Sequence, residues 1–221
     1  MSRIRVLVEG QTERAFIENI LAPFFHSLQI YLHAVMFSRQ GGIPPYERAK
    51  DVITRSLKED SALICTTMVD FYGMPAGWPG RDRANRCQSY MEKAYIVEGS
   101  ILEDIVGHLG NSFNPNRLMP YVQMHEFEAL LFSSPAKLAE SLGVEKSISA
   151  FMAIRNEFSN PEEINDNYDT CPSRRIEGVF KGFKKTINGI TAASRIGLET
   201  MRRECPHFNE WIGKLKNLGN R

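Results

Sequence analysis

Acidic side chains recur where runs of apolar and β-branched residues stop. Glu9 follows Ile4-Arg5-Val6-Leu7-Val8, Asp70 follows the run from Ala62 to Val69, and Glu126 and Glu128 follow Leu118 to Met124. Glu13 lies one helical turn beyond Glu9. Carboxylates crowded together repel one another and resist ionisation unless a cation lies between them. A cluster of hard oxygen donors suits Mg²⁺ or Mn²⁺. Each residue also has a plainer reading. Glu13 near a helix start is favoured by the macrodipole without any function, and Asp70 can accept backbone hydrogen bonds from the glycine-rich loop that follows it. Glu126 and Glu128 are two apart, so on a helix they point in different directions, whereas on an extended backbone they share a face. Of the two, Glu128 is better placed as a helix-borne ligand and Glu126 as a cap. His125 has no second histidine at ligand spacing and reads as a structural residue.

Other chemistries find no support. Neither GxGxxG nor GxxxxGK[ST] occurs, which argues against those modes of nucleotide binding. There is no GxSxG, and nothing selects one of the four cysteines as a nucleophile. Cys65, Cys87, Cys171 and Cys205 show no CxxC or Cys/His spacing, so neither a zinc site nor a disulfide framework is expected.

The elements that must hold the acids alternate between strand and helix. The run Ile4–Val8 ends in Glu9-Gly10, after which Thr12 can cap a helix with apolar positions Phe16, Ile17, Ile20, Leu21, Phe24 and Phe25. A second run, Ile30 to Phe37, is separated by Gly41-Gly42 and Pro44-Pro45 from a helical pattern at Tyr46, Ala49, Val52, Ile53 and Leu57. Residues 62–69 read as a buried strand, followed by a Gly/Pro-dense loop and a helix of about 20 residues through Leu109. Residues 118–124 are the last strand, and His125 to Phe132 has helical periodicity. Beyond Pro135 only helical patterns occur, with the polar, turn-rich stretch from Asn160 to Asn167 among them. This alternation predicts an α/β fold: a mainly parallel, Rossmann-like sheet with helices on both faces and a helical C-terminal extension. The domain reading is a core over 1–134 and an extension over 135–221 packed on it. In such sheets, functional groups gather where the strands end at their carboxyl edge.

The chain has 221 residues, 43% hydrophobic and 24% charged, enough to bury a sizeable core and inconsistent with wholesale disorder. No stretch approaches the roughly 18 consecutive apolar residues of a membrane span, so a cytoplasmic protein without membrane contact is expected. The net charge of +1 conceals an asymmetry. Residues 1–170 hold 16 Lys/Arg against 22 Asp/Glu, whereas residues 171–221 hold 11 against 4. Arg174, Arg175, Lys181, Lys184 and Lys185 are candidates for holding a nucleic-acid backbone, DNA or RNA; a solvated helix face gives the same count.

The segments Val8-Glu9-Gly10-Gln11-Thr12-Glu13, Val69-Asp70-Phe71-Tyr72-Gly73-Met74-Pro75 and Met124 to Phe132 together resemble the bacterial family called domain of unknown function 4276. Ser38-Arg39-Gln40-Gly41-Gly42, Pro172-Ser173-Arg174-Arg175-Ile176 and Cys205-Pro206-His207-Phe208 add to the resemblance, which covers nearly the whole chain. That family is similar to Toprim domains, the metal-dependent catalytic fold of topoisomerases, primases and overcoming-lysogenization-defect nucleases. Its members resemble partners of ATPases in phage-defence loci.

The resemblance implies a Toprim-like core in which a Glu after the first strand and an Asp-x-Asp after a later one hold the metal. Glu9 matches the Glu and Asp70 the first Asp, while Tyr72 replaces the second. The resemblance implies a role and not a reaction; the leading expectation drawn from it and from the strand-end acids is a Mg²⁺-dependent nuclease acting with an ATPase encoded nearby, with Glu9, Asp70 and Glu13 catalytic and Glu126 and Glu128 available as further ligands. The alternative is a weakly active or inactive subunit that docks on the ATPase. A homo-oligomer is left open by the residues.

Overall fold

The computed structural model describes residues 2–164 and 167–218. By internal contacts the chain forms two compact units, one holding residues up to Gln123 joined by the chain from Lys216 onward, the other Met124–Leu215. The division therefore falls ahead of the 134/135 boundary expected from the sequence, and the acidic segment after the last strand opens the second unit. Residues 216–218 thus belong with the first unit.

The first unit is built on strands β1 (Ser2–Val8), β2 (Ile30–Met36), β3 (Ile64–Asp70), β4 (Leu118–Met119) and β5 (Val122–Gln123). All pairings are parallel and the order is β2-β1-β3-β4, with β5 also on β3. The expected parallel sheet is thus present. Helix α1 (Gln11–Phe16) runs through a π-helical stretch at Ile17–Leu21 into α2 (Ala22–His26) and connects β1 to β2. Helix α3 (Tyr46–Glu59) carries the chain back over β1 to β3. After the short α4 (Arg81–Ala84), helix α5 (Tyr90–Leu109) leads to β4. Because the first crossover moves one way along the sheet and the next two the other way, right-handed connections put α1 and α2 on one face and α3 and α5 on the opposite face.

Central position explains the composition of β3. Six of its seven residues are buried, including Thr66 and Thr67 at 0% exposure, and such a strand reads as continuous rather than alternating. The expected strand over 118–124 is broken into β4 and β5 because Pro120 has no N–H to give the ladder. Thr67 bridges the break: its hydroxyl donates to Tyr121 O at 2.8 Å and accepts from Tyr121 N at 2.9 Å. The capping pair Ser89 and Glu92 marks the start of α5, where Ser89 Oγ accepts the Glu92 N–H. Gly80, which starts α4 at φ +77°, tolerates no side chain, since a Cβ there would lie 2.6 Å from Ser100 Oγ and 2.7 Å from Ile96 O.

The second unit is helical, as the patterns beyond Pro135 predict: α6 (Pro135–Leu142), α7 (Ile148–Asn156), α8 (Pro172–Val179), α9 (Ile190–Ile196), α10 (Leu198–Glu204) and α11 (Pro206–Leu218). Helical periodicity is expected over His125 to Phe132; there Glu126 is extended and Phe127–Ser133 forms a fully buried 3-10 turn instead of an α-helix. Within the polar stretch from Asn160 to Asn167, Pro161–Glu163 is one 3-10 turn; positions 165 and 166 lie outside the described residues. All four cysteines are free thiols. No helix among the described residues is long and apolar enough to cross a membrane.

Candidate functional site

β1 and β3 are neighbours whose connections leave in opposite directions, so their carboxyl ends flank the point where the strand order reverses. A crevice opens there in open α/β sheets because the loops diverge. Glu9 is the first residue past β1 and Asp70 the last of β3, and the register pairs Val8 with Met68. The two acids are thereby brought together across 61 residues of chain: the Asp70 N–H donates to Glu9 Oε2 at 3.4 Å. Glu9 is half-buried and Asp70 buried at 7% exposure. Glu13, in the first turn of α1, is buried at 6%.

The loops around these acids are glycine-rich for a spatial reason. A Cβ at Gly73 would lie 3.6 Å from Glu9 Oε1 and 3.6 Å from Ile43 Cδ1, and one at Gly10 would lie 3.4 Å from Glu13 Oε2. Small residues keep room beside the carboxylates. Tyr72, standing where the resemblance has its second Asp, is half-buried in the same loop.

Two cations that the sequence did not single out approach this end of β3. The Arg81 guanidinium lies 3.7 Å above the centre of the Phe71 ring, and Lys93 Nζ is 5.6 Å from it. Phe71 follows Asp70 directly. A Gly/Pro loop and a helix start separate these residues along the chain, and no motif spacing signals the contact.

In the second unit, Glu126 and Glu128 serve another arrangement. Glu126 has an extended backbone and Glu128 lies in the first turn of the 3-10 stretch that Phe127 begins, and both carboxylates reach Lys185: Nζ donates to Glu126 Oε1 at 3.3 Å and to Glu128 Oε2 at 3.0 Å. Glu126 also accepts the Ser173 N–H at 2.9 Å and the Ser173 hydroxyl at 3.1 Å. It caps a helix, as its sequence position suggested, but the helix is the distant α8. Burial pushes the Glu128 carboxyl up to about 7, while Lys185 pulls the other way. His125, at 4% exposure, precedes this pair.

Glu162 repeats the device at 0% exposure, accepting the His207 and Phe208 N–H groups at 2.9 Å each at the start of α11. Burial pushes this carboxyl up to about 7 against the pull of His207 and those amides. Both helices open with Cys-Pro, at Cys171-Pro172 and Cys205-Pro206, and proline at the first helical position leaves the following N–H groups for the buried glutamate.

The basic candidates divide. Arg174 is paired with Glu177 at 2.8 Å and reaches the Tyr168 hydroxyl at 2.9 Å. Arg175 pairs with Glu157 at 2.9 Å and donates to Thr170 O. Lys185 is held by the two buried glutamates. Lys181 and Lys184 are exposed.

A Mg²⁺ ion takes one or two protein carboxylates and completes its shell with water and substrate oxygens. Glu9 and Asp70, hard oxygen donors at adjoining strand ends, fit that donor set. Among the described residues, no group of three or more His, Cys, Asp or Glu side chains is arranged to hold a metal ion.

Three comparisons place the chain among known proteins. No curated protein matches it. A solved structure of the C-terminal region of the Xanthomonas campestris pv. campestris OLD protein aligns over 100% of this chain and 97% of its own, at 16% identity and a TM-score of 0.43. The family model described as a domain of unknown function, DUF4276, matches residues 8–216. That match runs from the end of β1 into α11 and takes in every acid discussed above, and on it the chain belongs to the DUF4276 family.

Proposed function

We propose that the protein is a Mg²⁺- or Mn²⁺-dependent phosphodiesterase acting on nucleic acid, Toprim-like in its core, working in antiviral defence with an ATPase partner. The observation that carries this reading is the meeting of Glu9 and Asp70 at the carboxyl ends of the two central parallel strands. Glu9 and Asp70 would hold the ion. When bound, the metal supplies a water of lowered pKa and neutralises charge on the scissile phosphate.

The chain's own residues do the rest. Glu13, buried in the first turn of α1 beside Gly10, sets the negative potential of the crevice and is the candidate to orient a water. Arg81 and Lys93, gathered on Phe71, offer cations for the substrate's phosphates next to Asp70. The glycines at 10 and 73 let a backbone approach the acids closely.

The test incubates purified protein with single- and double-stranded DNA and RNA in Mg²⁺, Mn²⁺ or chelator, alone and with the ATPase encoded beside it. Metal-dependent cleavage that chelator abolishes is expected. Absence of cleavage in every combination would reject the reading.

Binding to nucleic acid has its own signature. Lys181 and Lys184 are exposed, while Arg174 and Lys185, exposed as well, and half-buried Arg175 are engaged by acids. Replacing Lys181 and Lys184 by Gln is expected to flatten the dependence of log affinity on log salt by roughly one unit per lost phosphate contact. The same change at Arg174 is expected to do less. Equal slopes for the parent and the double variant would assign these lysines to a solvated surface.

A further inference from the structure

Strand β2 forms one edge of the sheet, with β1 as its neighbour on the other side. Its sequence, Ile-Tyr-Leu-His-Ala-Val-Met, holds no proline and no Lys, Arg, Asp or Glu. Its register with β1 runs without a bulge from Ile30 to Met36. Lysine, proline and bulges are the usual devices that stop an edge from pairing with another strand, and β2 uses none of them.

The direction of its main-chain groups follows from the ladder. Phe37 N–H donates to Val8 O at 3.0 Å. By alternation, Tyr31, His33 and Val35 turn their amides and carbonyls toward β1, and Ile30, Leu32, Ala34 and Met36 turn theirs outward. Two open grooves run beside the strand. One, of about 390 Å³, is lined by Ile30, Tyr31 and Leu32 with Glu18 and His26. The other, of about 290 Å³, is lined by His33 to Met36 with Arg14 and Arg39.

We propose that β2 pairs antiparallel with β2 of a second copy of this chain, about a two-fold axis at His33, joining two sheets into one. The outward groups dictate the register. With the axis at His33, Leu32 of one copy meets Ala34 of the other and Ile30 meets Met36, so every outward residue faces an outward residue. An axis at Leu32 or Ala34 strands one outward residue on each copy, and an axis between two residues sets outward groups against inward ones.

Charge agrees with the antiparallel sense. Exposed Arg14 and Arg39 line the groove at the Met36 end, and exposed Glu18, which pairs with Arg14 at 2.8 Å, lines the one at the Ile30 end, so the more basic end of one copy meets the acidic end of the other. Parallel pairing would set like ends together. The exposed His33 side chain stands beside its symmetry mate in a non-hydrogen-bonded pair, where opposing side chains approach most closely and like charges repel.

Light scattering on the eluting full chain and sedimentation equilibrium read the outcome. The parent is expected to be a dimer, and His33→Glu and His33→Lys each monomeric at concentrations where the parent is dimeric. An equal mixture of the two variants should recover the dimer, because unlike charges then face each other across the axis. Leu32→Pro removes an outward N–H that an edge strand does not need internally, and should give a monomer with unchanged circular dichroism. Three results would overturn the proposal. A parent monomeric at all concentrations would leave the edge to an extended segment of another protein. A dimer that survives both His33→Glu and Leu32→Pro would belong to another surface. Monomeric single variants that fail to recover when mixed would reject the axis at His33.

Discussion

Glu9→Gln and Asp70→Asn are each expected to lower metal-dependent cleavage by about 100-fold or more, since even the groups that merely orient a metal's ligands cost about 10- to 100-fold when lost. Both changes keep shape and remove one charged oxygen. Folding should survive. The amide carbonyl introduced by Glu9→Gln could still accept the Asp70 N–H that Glu9 Oε2 takes at 3.4 Å, and removing one of two neighbouring negative charges relieves repulsion in the metal-free protein. The expected pattern is lost cleavage at equal or slightly higher melting temperature, with weaker Mn²⁺ binding measured directly by paramagnetic resonance. Cleavage retained in both variants would remove these acids from the reaction. Glu13→Gln is expected to slow the reaction less, since Glu13 is not among the two proposed ligands.

The largest effect on stability is expected at Lys185. Its ammonium is half-exposed, but the two carboxylates it meets are buried, with side-chain exposures of 6% for Glu126 and 1% for Glu128. Lys185→Met leaves both without their cation, and a buried group stripped of its partner costs about 1–3 kcal/mol, more when charged. Proton uptake limits the loss. Burial already pushes the Glu128 carboxyl up to about 7, so in the parent the folded state holds a proton that the unfolded state has released between the ordinary carboxyl value and about 7. Stability from this group is present in full below the ordinary value and is lost as pH rises to about 7. Removing Lys185 raises the upper end of that window, so the destabilisation should be larger at pH 8 than at pH 6. Chemical denaturation at the two pH values checks the sign, and adding Glu128→Gln should abolish the difference. A penalty independent of pH would mean that packing of the lysine stem carries the effect.

Much of the architecture is legible because strand and helix leave periodic traces. The runs at Ile4–Val8, Ile30–Phe37 and 62–69 become β1, β2 and β3 with ends shifted by one or two residues, since apolar and β-branched composition follows burial in a parallel sheet. The 20-residue helix before Leu109 is found for the same reason. Where the local signal is ambiguous, the reading departs from the fold. Helical spacing in Phe127–Ser133 is equally what a wholly buried 3-10 turn presents, because every position there is withdrawn from solvent and no polar face distinguishes one period from the other. Pro120 interrupts a strand whose continuity is maintained by Thr67, a residue distant in the chain.

The acids show the same boundary. That Glu9 and Asp70 terminate strands is written in their neighbours, and parallel topology then sends both to one edge; that they adjoin follows only from the order β2-β1-β3, which sets β1 beside β3. Glu126 and Glu128 read as spare ligands until Lys185, distant in sequence, takes both carboxylates. The basic excess of residues 171–221 is a property of composition, but which of those charges are already engaged by acids depends on Glu177, Glu157 and the buried pair, whose positions no spacing encodes. Sequence alone thus determined the elements and the ends at which acids stand, because burial periodicity and strand termination are local. Tertiary structure alone decided which charges are spent on one another, because an ion pair or a helix cap depends on distance in space between groups that the chain keeps far apart.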